Sequence, residues 1–72
     1  MNNLNVAKIQ LNGISYEISD GTNLNELLNK LKIQKNKVAV EVNGEIVEKN
    51  KYINLILNKN DKVEIVQFIG GG

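Results

Sequence analysis

A chain of 72 residues makes one domain, and a domain this small buries only roughly 60% of the surface its unfolded form exposes, which leaves no room for a deep substrate cavity. With no Cys and no His, thiol nucleophiles, imidazole acid–base chemistry, disulfides and the usual zinc sites are all excluded. Nine Lys interspersed with eight acids, for a net charge of +1, leave no basic stripe to hold phosphates, so no nucleic-acid partner is expected. The opening Met1-Asn2-Asn3-Leu4-Asn5 lacks the layout of a signal peptide, and no apolar run approaches a membrane span. The expectation is a cytoplasmic protein with no membrane partner.

Val6, Ile9 and Leu11 form an imperfect strand pattern, followed by Asn12-Gly13. Asn-Gly is the strongest short signal for a type I′ hairpin turn, because both central residues need positive φ. Ile14-Ser15-Tyr16-Glu17-Ile18 then alternates apolar and polar residues, which predicts an antiparallel hairpin. Asp20-Gly21-Thr22 breaks the strand. Asn23 and Glu26 have the spacing of a capping box, and Leu24, Leu27, Leu28 and Leu31 make one apolar stripe, so a short helix is predicted over 23–32. Lys30 and Lys32 suit its C-terminal end, where the helix dipole favours cations.

Gln34 to Lys37 reads as a polar connection and Val38, Val40 and Val42 as a third strand. Asn43-Gly44 is a second tight turn leading into Ile46-Val47. Lys49 to Lys51 is polar, and the patch Tyr52 to Leu57 reads as a short strand or turn. Asn58-Lys59-Asn60-Asp61 is a turn cluster before a last strand over 62–69. The order β-β-α-β-β-β gives one amphipathic helix that must bury its stripe against one face of a mixed sheet. That is an α+β fold of β-grasp (ubiquitin-like) type over residues 1–69, with a glycine tail over 70–72. A small barrel with one helix is the alternative arrangement.

The carboxylates, among them Asp20, Glu41, Glu48 and Asp61, are scattered singly and form no acid–base or metal-binding pair. Gly13, Gly21 and Gly44 are turn glycines outside any phosphate-cradling motif. Gly70, Gly71 and Gly72 follow directly on the apolar run Val63 to Ile69. Glycine there packs nothing and loses the most entropy when ordered, so a glycine tail suits a terminus that is itself the working part. Three residues extend roughly 10 Å, enough to carry an α-carboxylate into a partner's active site. A frayed end or a cloning remnant would read the same way. An ionised carboxylate is a poor electrophile and needs activation, most simply as an acyl-adenylate, before a sulfur or nitrogen nucleophile can attack it.

The ending Lys62-Val63-Glu64-Ile65-Val66-Gln67-Phe68-Ile69-Gly70-Gly71-Gly72 resembles that of the sulfur carrier proteins of thiamine biosynthesis, the ThiS family. Asn12-Gly13, the segment Asn23 to Leu28, the block Val40 to Val47 and Asn60-Asp61-Lys62-Val63 are also similar to that family's layout. The resemblance implies a carrier that is a co-substrate, not an enzyme, and that binds no cofactor. An adenylyltransferase of the ubiquitin-activating type would use ATP to attach AMP to the Gly72 carboxylate. Sulfur from a sulfur-donating enzyme would then leave a thiocarboxylate, which thiazole synthase would consume. Gly70 departs slightly, since some members carry another small residue there. The small subunit of molybdopterin synthase and ubiquitin-like modifiers share this chemistry. A β-grasp binding module without covalent chemistry is the reading from another class, favoured if the natural chain continues past Gly72.

Period-two geometry in the last strand puts Val63 and Ile65 on one face and Lys62, Glu64, Val66 and Phe68 on the other. The charged neighbours mark the second face as wet. Val63 and Ile65 are therefore expected in the core, and Val66, Phe68 and the adjoining Ile69 as partner-binding residues. The competing possibility for Phe68 is that it merely folds over the sheet edge.

Overall fold

Two Asn-Gly turns frame the sheet. In the computed structural model, which describes residues 5–68, Asn12 and Gly13 have φ of 50° and 83°, and Asn43 and Gly44 have 54° and 86°. These are the left-handed pairs that a type I′ turn requires. The first turn joins β1 (Val6–Leu11) to β2 (Ile14–Ser19), antiparallel, with Val6 opposite Ser19 and Leu11 opposite Ile14. The second joins β3 (Val38–Val42) to β4 (Glu45–Ile46).

Between the hairpins lies α1 (Leu24–Lys30). Its capping box is complete: the Glu26 N–H donates to Asn23 Oδ1 at 2.7 Å, and the Asn23 N–H donates to Glu26 Oε1 at 3.0 Å. Asn23 is thus the cap, not the first helical residue. The helix also closes before the expected Lys32, which is left-handed at φ 60°. The Ile33 N–H reaches Leu28 O at 2.9 Å and the Lys32 N–H reaches Asn29 O at 3.0 Å, the paired bonds of a Schellman ending. Lysine at the position where glycine usually stands gave no sequence signal for that stop.

β5 (Lys62–Gln67) lies in the middle of the sheet, whose order is β2-β1-β5-β3-β4. It runs parallel to β1 and antiparallel to β3. β2 and β4 remain open edges, so the alternative of a closed barrel does not apply. Leu24, Leu27 and Leu28 of α1 pack with Ala7, Ile9, Ile18, Val38, Val40 and Val63, while Leu31 and Ile65 are partly buried against this core.

The stretch after β4 differs from the sequence reading. Lys49–Asn54 forms a 3-10 helix that includes the supposedly polar connector, and it buries Tyr52 to 1% exposure. Beyond it the strand character shrinks to one bridge, Ile56 opposite Asn23, with Leu57 buried beside it. Tyr52 and Leu57 plug the end of the core next to the helix start, where the Leu24 N–H donates to Leu55 O at 2.9 Å. The spacing of two buried residues five apart matches neither a strand nor a helix period, which is why the patch read as irregular. A further short 3-10 turn, Lys35–Lys37, occupies the expected polar connection into β3.

Candidate functional site

The last strand ends at Gln67, short of the expected Ile69. Ile69, Gly70, Gly71 and Gly72 lie outside the described residues. What the structure defines is the platform on which that segment is mounted.

Val63 is fully buried and Ile65 partly so, while Val66 and Phe68 are 58% and 55% exposed. The two-face assignment from the sequence therefore matches the packing, and Phe68 does not fold into the core. Val66 stands opposite Ala39, and Glu64 opposite Glu41. Residues directly opposite share a sheet face, so Ala39, Val66 and Phe68 form an apolar strip beside a like-charged carboxylate pair. Lys49 Nζ sits 5.9 Å from the centroid of the Phe68 ring, a cation–π distance that tethers the ring from one side. The Phe68 N–H donates to Lys37 O at 3.0 Å, which carries the β3 pairing one residue past the strand.

The Asn residues of both turns do more than turn the chain. On one side of β5, the Lys62 N–H donates to Asn43 Oδ1 at 2.9 Å, and Asn43 Nδ2 donates to Asp61 Oδ1 at 3.0 Å. Asp61 Oδ2 in turn accepts from the Asn58 N–H at 2.7 Å. On the other side, the Ile65 N–H donates to Asn12 Oδ1 at 2.7 Å, and Asn12 Nδ2 donates to Ile65 O at 3.3 Å. The Asn12 amide thus stands in for a missing strand residue and extends the β1–β5 ladder past its last backbone pair, Leu11 with Val63. In the sequence, Asn12 and Asn43 mark only tight turns. Nothing local reveals a contact across 53 positions of chain.

Among the described residues there is no cluster of three or more His, Cys, Asp or Glu placed to hold a metal ion. Among them, too, no helix is long and apolar enough to cross a membrane.

The model of the ThiS family matches residues 9–72. The chain belongs to the ThiS family. It is 38% identical over 66 residues to sulfur carrier protein ThiS of Bacillus subtilis, covering 89% of this chain and 98% of that protein. The crystal structure of thiamine biosynthesis protein ThiS from Geobacter metallireducens has a TM-score of 0.78 at 34% identity, over 90% of this chain and 99% of that one. The β-grasp assignment thus holds in topology and in relatives. A longer relative, thiazole synthase of Paramagnetospirillum magneticum, is 45% identical over 65 residues, which are 90% of this chain. The chain spans 20% of the length of that synthase.

Proposed function

We propose that this ThiS-family chain is a sulfur carrier of thiamine biosynthesis, loaded and unloaded at the Gly72 carboxylate. The observation that supports this most is the family match, which runs through Gly72 itself. The structure is consistent with it, because β5 is held from both flanks and presents Val66 and Phe68 just before the tail.

The loading proceeds in three steps. A carboxylate oxygen of Gly72 attacks the α-phosphorus of ATP in a partner adenylyltransferase, and pyrophosphate leaves. The terminal sulfur of a cysteine persulfide on the sulfur-donating enzyme attacks the acyl carbon, forming C–S as the C–O bond to AMP breaks. A thiol then cleaves the S–S bond of the acyl disulfide, releasing the thiocarboxylate and a disulfide. Glycine at 72 suits this sequence, since no Cβ obstructs approach to the carbonyl from either side. The carrier supplies no catalytic side chain and binds no cofactor, and ATP belongs to the partner.

Thiazole synthase is the proposed acceptor. Its relative in Paramagnetospirillum magneticum matches this domain within one longer chain. Joining two modules in a chain raises their effective concentration, which is useful where the two must meet.

Intact mass spectrometry tests the reading. With an activating enzyme, ATP and a sulfur donor, the mass should rise at one site by the difference between sulfur and oxygen. Deleting Gly72 should abolish the rise while β1 to β5 stay folded. Sulfur loading that survives the deletion refutes the assignment.

A further inference from the structure

Resting on the sulfur-carrier reading, we infer that β5 is an open docking edge at Gln67, where an extended segment of thiazole synthase adds as a sixth strand next to the reactive tail. The hydrogen-bond pattern of β5 leads there. The Phe68 N–H bonds to Lys37 O, and the Asn43 N–H bonds to Lys62 O at 2.8 Å, so the even-numbered residues of β5 exchange bonds with the β3 side. In an antiparallel ladder the intervening residues point the other way. Val63, Ile65 and Gln67 therefore turn their N–H and C=O groups toward β1. Val63 O accepts from the Asn12 N–H at 2.8 Å, and Ile65 is capped by the Asn12 side chain. Gln67 is the first rung with no partner among the described residues, because β1 has already turned away at Asn12-Gly13.

A groove of about 440 Å³ lies beside that rung, lined by Leu11, Asn12, Leu31, Ile33, Ile65 and Gln67. Bare backbone groups next to an apolar groove are what strand addition uses: the main chain pairs with the edge, and an alternate side chain enters the groove. The occupant lies where β1 would have continued. Thiazole synthase is the favoured occupant because the Paramagnetospirillum synthase carries a matching domain in its own chain.

The test measures amide exchange of the full-length carrier, alone and with purified thiazole synthase of the same source, alongside two variants. Gln67→Pro removes only the N–H facing the open edge, a position where a strand accepts proline without losing a ladder bond. Gln67→Ala keeps the backbone. The synthase should slow exchange of the Gln67 amide at least tenfold. Gln67→Pro should weaken binding about tenfold, the cost of one interfacial hydrogen bond with its acceptor left unpaired, and Gln67→Ala should bind like the parent. If Gln67→Pro misfolds, the exchange result on the parent chain decides alone. The inference fails if a complex forms while the Gln67 amide exchanges as in the free carrier. It also fails if only the activating enzyme protects that amide, if protection appears in concentrated carrier alone, or if no complex forms. Sulfur loading at Gly72 is measured separately, so any of these failures leaves the carrier reading to its own test.

Discussion

Replacing Asn12 with glycine should loosen the end of β5 without disturbing the turn that Asn12 belongs to. Asn12 already sits at φ 50°, a conformation glycine adopts without the steric cost a side chain bears, which offsets the entropy glycine gains in the unfolded chain. Gly-Gly also remains a competent type I′ pair. What disappears is the amide that accepts from Ile65 N–H at 2.7 Å and donates to Ile65 O at 3.3 Å. A net hydrogen bond contributes about 0.5–1.5 kcal/mol, so the short bond taken fully and the long one at the low end sum to about 1–2 kcal/mol. For a domain of this size that lowers Tm by about 5–15 °C. Asn12→Asp keeps the acceptor and loses the donor, so it should cost less than half as much. Thermal unfolding gives the magnitudes, and amide exchange locates the effect at Ile65. If Asn12→Gly melts with the parent and the Ile65 amide stays protected, the Asn12 amide does not hold the strand and the reasoning is refuted.

Phe68→Ala should change stability by no more than about 0.5 kcal/mol, as expected for an exposed site, yet weaken binding to thiazole synthase or the activating enzyme about tenfold by titration calorimetry. Melting of Phe68→Ala with unchanged affinity would return that ring to the core. Leu27→Ala, at 0% exposure, should cost about 2–5 kcal/mol in urea unfolding, with Ile65→Ala toward the lower end because Ile65 is only partly buried. Burial pushes the Tyr52 phenol above its ordinary 10.0, since desolvation disfavours the phenolate. A raised folded-state value contributes stability that is present below pH 10 and lost as pH rises through the folded value. The difference in stability between the parent and Tyr52→Phe should therefore be flat up to about pH 10 and change above it, read by unfolding at stepped pH; a difference that stays flat beyond that point contradicts the burial effect.

Much of this fold was legible because the signals are local. Asn12-Gly13 and Asn43-Gly44 require left-handed backbone that few dipeptides supply, and Asn23 with Glu26 caps a helix whose leucines repeat at helical spacing. Alternation in Lys62 to Gln67 separated a buried Val63 from an exposed Val66 before any strand was placed beside it. The family's ending was legible too, as a string of residue types. Tertiary structure decided what depends on neighbours distant in sequence. Lys32 ends α1 in a left-handed turn because Ile33 is drawn toward the core beside Leu31, and no residue type announces it. Tyr52 becomes the plug of the core from within a 3-10 helix whose spacing fits neither regular period. β5 lies between β1 and β3 because both of their faces need an apolar neighbour over α1, and pairing across that much chain has no local mark. The Asn12 amide acquires its second role only there, where the partner strand runs on after β1 has turned away.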